Sequence, residues 1–127
     1  MFQLDFLSSV PIYEQLMRKI KENIMKGYLK PGDTLPSVRK MARDLNVTPN
    51  TVQKAYRMLE QEQVIVTVRG KGAFVANKKP VIDNRQKIED LNRQIKPLVM
   101  ELLYTGMSKE DIIQIIEEIC SEIKEGK

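Results

Sequence analysis

The tightest constraint on this chain lies between Ser37 and Val64, where two amphipathic helices are separated only by Asn46-Val47. In the first, Val38, Met41, Ala42 and Leu45 fall at i, i+3, i+4, i+7, with Arg39, Lys40 and Arg43 left outward and Ser37 placed to cap the start. At about nine residues this helix is marginal alone in water and has to be held by packing. The second opens with Thr48 as N-cap and Pro49 at the first helical position, where a missing N–H costs nothing. Val52, Ala55, Tyr56 and Leu59 make its apolar face. Asn50, Gln53, Lys54 and Arg57 repeat the same spacing two positions earlier, roughly 200° round the helix. Asn46 tolerates the left-handed conformation that such a turn often needs. These features outline a helix-turn-helix. Its outer face suits a polar, anionic partner, and double-stranded DNA leads.

After Val64 the period changes. Val64–Val68 is β-branched throughout, and Ala73–Ala76 is a second short apolar run. Between them Arg69-Gly70-Lys71-Gly72 forms a hairpin tip with two cations, whose glycines let the backbone approach a phosphate or a minor groove closely. Upstream, Ile12, Leu16, Ile20 and Ile24 repeat every four residues, Tyr13 and Met17 widen that stripe, and Gly27 suits a helix end. Lys30-Pro31-Gly32-Asp33 predicts a type II turn. Helix, short helix, helix and hairpin follow one another in the order of a winged helix. Phe2, Leu4, Phe6 and Leu7 share no helical register, so residues 1–10 read as an arm that packs elsewhere, the partner subunit of a dimer being one place.

Asn77-Lys78-Lys79-Pro80 has linker composition. Beyond it Ile88, Leu91, Ile95, Leu98 and Leu102 form a heptad-like stripe, which Pro97 is expected to kink near 93–97 by removing the bond to Arg93's carbonyl. Thr105-Gly106 ends that helix, and Ser108 with Asp111 makes a capping box for another. Ile112, Ile113, Ile116, Ile119, Cys120 and Ile123 give the last helix a broad apolar face. Two helices cannot bury this much apolar face on each other, so dimerisation is expected. The fold class is therefore mainly α with a small β-hairpin: an arm at 1–10, a winged helix-turn-helix domain at 11–77, a linker at 78–84 and a two-helix dimerisation tail at 85–127, folded as a helical hairpin.

Charge is distributed to match. Residues 1–79 carry 14 Lys+Arg against 7 Asp+Glu, a net of +7, whereas residues 80–127 carry 7 against 10, a net of −3. Only the front is suited to a polyanion. Cys120 is the one cysteine of the chain, so no intramolecular disulfide forms; flanking isoleucines favour a buried thiol, and a reducing, cytoplasmic setting is expected. Neither a membrane span nor a signal peptide is indicated. With no histidine, one cysteine and no Walker or dinucleotide loop, neither enzyme chemistry nor a metal or other cofactor is expected. Two other readings stay open: a nucleotide phosphate cradled by Arg69–Gly72, and an interaction module whose basic front meets an acidic protein.

Within the DNA reading, Thr48 caps its helix and reaches a phosphate, helped by the helix N-terminus. Asn50 and Gln53 suit bidentate bonds to adenine, while Lys54 and Arg57 suit phosphates. Arg39 points toward the same surface, where a guanine edge or the backbone is in reach.

Specific motifs run through residues 10–77. Pro11-Ile-Tyr-Glu-Gln-Leu16, Gly27-x-Leu29-x-Pro31-Gly-Asp33-x-Leu35-Pro-Ser-Val-Arg39, Thr48-Pro-Asn-Thr-Val52, Ala55-Tyr56 and Gly70-x-Gly72-x-Phe74-Val75 resemble the GntR family of bacterial transcription regulators. The short helical tail resembles its YtrA subfamily. That resemblance implies a winged-helix homodimer on a palindromic operator, usually a repressor, with Arg39, Thr48, Asn50, Thr51 and the wing around Gly70 at positions that touch DNA in relatives. Many members outside the subfamily carry arginine where this chain has Pro49 and Gln53, so their base preference does not transfer. A small-molecule effector, if one binds, is expected between subunits or between tail and DNA-binding domain, because so small a tail cannot enclose the usual cavity of about 300 Å³ or more.

Overall fold

The computed structural model describes residues 2–77 and 84–125. The elements in chain order are α1 (Ile12–Met25), β1 (Thr34–Leu35), α2 (Val38–Leu45), α3 (Pro49–Gln61), β2 (Ile65–Val68), β3 (Gly72–Val75), α4 (Arg85–Tyr104) and α5 (Lys109–Glu125). They divide into two units, Met1–Pro80 and Val81–Lys127. Of the linker expected at 78–84, residues 78–83 lie outside the described residues.

The first unit is a winged helix. Leu16 and Ile20 of α1, Met41 and Ala42 of α2, and Val52, Ala55 and Leu59 of α3 close over Leu35, Ile65 and Ala73 of the sheet. The three strands are antiparallel in the order β1-β3-β2, with Leu35 opposite Ala73 and Ile65 opposite Val75. A two-residue strand such as β1 has no period to read in the sequence. Backbone bonds place it: Gly32 N–H donates to the Val75 carbonyl at 2.9 Å, and Val75 N–H to that of Asp33 at 2.8 Å. The preceding turn forms as the Pro-Gly pair predicts, with Asp33 N–H on the Lys30 carbonyl at 2.9 Å and Gly32 at φ +87°.

Helix ends follow local chemistry. Ser37 accepts the N–H of Lys40 at 3.1 Å to start α2, and Asn46 ends it in the left-handed region at φ 57°. Past α3, Gln63 N–H bonds to the Glu60 carbonyl and Val64 N–H to that of Leu59, both at 2.9 Å, a Schellman pattern. It obliges Gln63 to sit at φ 61°, where a side chain is strained.

The arm packs on its own unit in the single chain. Phe2 is buried in the core of its own unit. Gln15 fastens the rest, accepting the Asp5 N–H at 2.8 Å and donating to the carbonyls of Asp5 at 2.9 Å and Val10 at 2.8 Å. Among the arm's described large apolar side chains, only Phe6 and Leu7 stand exposed.

In the second unit α4 carries Pro97 inside it without being broken, and Gly106 turns the chain at φ +97°. The capping box forms reciprocally: Ser108 N–H donates to Asp111 Oδ2 at 3.2 Å, and Asp111 N–H to Ser108 Oγ at 3.1 Å. The two helices touch little. Ile88, Leu91, Ile95, Leu98, Ile113, Ile116 and Ile119 are exposed, Leu102 and Ile123 half-buried, and Ile112 alone among the tail's described side chains is buried. Cys120, expected buried, is exposed for the same reason: in the single chain α4 does not cover the apolar face of α5. Among the described residues, no helix is long and apolar enough to cross a membrane.

Candidate nucleic-acid interface

Burying Val52, Ala55, Tyr56 and Leu59 turns the opposite side of α3 outward, so Asn50, Gln53, Lys54 and Arg57 are all exposed. Tyr56 fixes the helix lengthwise. Its hydroxyl donates to the Pro36 carbonyl at 2.7 Å, tying mid-α3 to the residue before the cap of α2. Burial pushes its phenol pKa up to about 12. At the start of α3, Thr48 Oγ1 accepts the Thr51 N–H at 3.4 Å and lies 2.9 Å from the Thr51 hydroxyl. Thr51 is half-buried and shares the cap, which holds Thr48 and the helix start in place.

On one flank, Gln53 and Arg57 line a groove of ≈ 410 Å³ together with Ser37 and Val38 at the start of α2 and Thr67 and Gly72 at the root of the wing. Arg39 follows one residue beyond that rim, and Arg69 and Lys71 sit on the loop joining Thr67 to Gly72. The wing turn is closed by Lys71 N–H on the Val68 carbonyl at 2.9 Å. Gly70 and Gly72 hold φ +81° and +101°, and a Cβ at either would meet nothing within 4 Å. The glycines are thus required by backbone conformation, and the space over them is open to an incoming strand.

Charge pairing separates this face from α1. On α1, Arg18 pairs with Glu14, Lys19 and Lys26 with Glu22, and Lys21 with Glu62 of the α3 C-cap. Lys26 bonds the Glu22 carboxylate and is the main reason that its pKa is lowered. Among the described residues, Arg39, Arg57, Arg69 and Lys71 have no carboxylate within ion-pair range. Cations left unpaired around one groove, while those of α1 are paired, suit the approach of an anion.

Lys54 lies on the other flank. Its ammonium stands 4.1 Å above the centroid of the Tyr13 ring, a cation–π contact that joins α3 to α1. The sequence placed Tyr13 on the apolar stripe of α1, and no local signal marks this second use. Glu60 went unmarked as well. Its Oε2 accepts the backbone N–H of Thr67 at 3.1 Å, linking α3 to the wing. Among the described residues, no cluster of three or more His, Cys, Asp or Glu is placed to hold a metal ion.

The pattern of bacterial regulatory proteins of the gntR family matches residues 12–75. The chain is 41% identical over 127 residues to the HTH-type transcriptional repressor YtrA of Bacillus subtilis (strain 168), covering 100% of this chain and 98% of that relative. Its structure is similar to that of a transcriptional antiterminator from Listeria monocytogenes EGD-e, with a TM-score of 0.88 at 39% identity over 98% of this chain and 92% of the other. The DNA-binding domain of AraR in complex with operator ORX1 also matches, at 29% identity and a TM-score of 0.52, covering 60% of this chain and 93% of that one.

Proposed function

The chain belongs to the gntR family of bacterial regulatory proteins, DNA-binding transcription regulators rather than enzymes, and from that premise we propose that it is a cytoplasmic, homodimeric repressor of a two-fold symmetric operator. The observation that carries this reading is the groove between α2, α3 and the wing, edged by cations that the chain leaves unpaired. Each subunit sets the start of α3 into a major groove. Asn50 and Gln53 meet base edges there, their amides suited to adenine N6 and N7, and Arg39 meets a guanine edge or the backbone. Thr48, Lys54 and Arg57 take phosphates, and Arg69 and Lys71 flank Gly70 at the adjacent minor groove. Repression is carried over from the YtrA relative.

The tail supports a second copy. Helix α4 has no buried residue, and the exposed isoleucines and leucines of α4 and α5 need a partner surface. A small-molecule effector, where one acts, fits between subunits.

Selection of genomic fragments by the full chain tests the function. Enriched fragments should share an inverted repeat, with half-sites spaced by a helical turn or a multiple of it. Recovery of no common sequence refutes the reading and favours a protein-interaction module. Removing residues 81–127 should leave a monomer in sedimentation, with much weaker binding to the selected site. A dimer of undiminished stability would exclude the tail as the interface.

A further inference from the structure

The wing is a short cantilever. Its loop of Arg69, Gly70 and Lys71 is carried by two four-residue strands, and β2 is the outer strand of the sheet. The carbonyls of Val64 and Val68 accept from Ala76 and Lys71 on the β3 side. By the alternation of an antiparallel ladder, the N–H of Thr67 points away from β3, out of the sheet. An outward N–H on an edge strand is normally left to water. Here the Glu60 carboxylate takes it at 3.1 Å.

Glu60 is exposed, and among the described residues its carboxylate has no cation within ion-pair range and no bond besides this one. It lines the same groove as Gln53 and Arg57. An acid there opposes the approach of phosphate, which sets it against the charge of its surroundings. A bond from a carboxylate to a backbone N–H is stronger than a neutral one, and this one crosses between the two elements that contact DNA in the proposed function. We infer that Glu60 is a positioning residue for the wing: its bond to Thr67 sets the angle between β2 and α3, and so the spacing between the major-groove and minor-groove contacts. Arg69 lies two residue steps beyond Thr67, roughly 7 Å, so a small rotation at the bond is carried to the cations of the tip.

The inference rests on the proposed DNA binding for its consequence, but one arm of its test does not need DNA. In amide hydrogen exchange of the full chain, Glu60→Ala should lower protection at Thr67 about tenfold or more, while amides of α1 keep theirs. Glu60→Gln retains an acceptor and should restore most of that protection. Unchanged protection at Thr67 in Glu60→Ala overturns the inference whether or not the chain binds DNA. On the selected operator, Glu60→Ala should weaken binding about three- to tenfold. It should cost nothing further once Arg69→Ala and Lys71→Ala have removed the cations it positions. Losses that multiply independently of the tip show that Glu60 does not act through the wing. A loss confined to one C·G pair shows a base contact instead, since a carboxylate can accept from cytosine N4.

Discussion

If unpaired cations mark the DNA face, removing one should change the salt dependence of binding in proportion to the phosphates it neutralises. Arg57 is the test case: it is exposed, it edges the groove, and no carboxylate lies in ion-pair range among the described residues. Arg18 is the control, also exposed, but 3.9 Å from Glu14 on α1. Each phosphate contact on duplex DNA contributes about −0.9 to the slope of log K against log salt. Arg57→Gln deletes one contact per subunit and two in a dimer, so the slope should become shallower by about 1.8. Between about 50 and 200 mM salt, the variant should then lose roughly tenfold less affinity than the parent. Fluorescence anisotropy with the selected operator and with unrelated duplex reads this directly, and both DNAs should show the same change because phosphates carry no sequence. Arg18→Gln should leave the slope within experimental scatter. An unaltered slope for Arg57→Gln, or an equal shift for Arg18→Gln, refutes the argument from pairing.

Asn50→Ala should cost on the order of 1–3 kcal/mol on the selected operator and relax preference at one base pair; an equal fall on all sequences means that Asn50 is not a reader. Tyr56→Phe should cost about 1 kcal/mol at neutral pH through the lost bond to Pro36. Burial raises the phenol pKa on folding from 10.0 to about 12, so the group leaves stability intact below pH 10 and lowers it as pH rises toward 12, by on the order of 2–3 kcal/mol. The advantage of the parent over Tyr56→Phe in urea unfolding should therefore shrink and then reverse over that range, and parallel curves would show that burial does not hold the proton. Gln63→Gly should raise the urea midpoint by about 1 kcal/mol of stability, since it relieves a side chain from φ 61°. A lowered midpoint would show that the exposed side chain earns its place by some contact.

The elements that the sequence announces are those built from local chemistry. Ser37, Asn46, Thr48 with Pro49, Gly32 and the Ser108–Asp111 box all act within a few residues of themselves, and each sits where its side chain or φ demands. Contacts between distant segments are not announced. Glu60 reaches a backbone amide seven residues on, in another element; Lys54 stands over a ring 41 positions earlier. No periodicity encodes either. Burial of Phe2 was equally hidden, because an irregular arm has no repeat to show which way its side chains turn. The exposed Cys120 misled in the opposite sense, because an apolar stripe in the sequence says that a face needs covering without saying that this chain covers it.

That division bears on what a family match carries. Most of the shared motif is frame: Pro11 precedes α1, Pro31-Gly32-Asp33 turns into β1, Ser37 and Thr48 cap α2 and α3, and Gly70 and Gly72 shape the wing tip. Such residues set how a helix and a wing are presented, so docking geometry travels with them. In the proposed function, base choice rests on side chains that leave the frame untouched. Gln53 is one: it is exposed on α3, its side chain makes no hydrogen bond within the described residues, and another residue in its place would disturb no cap or core contact. A relative can therefore share the whole scaffold and read a different operator, since discrimination at one base pair costs the fold nothing. Between proteins on one frame, the identities at the proposed readers Asn50 and Gln53 should separate operators better than overall identity does.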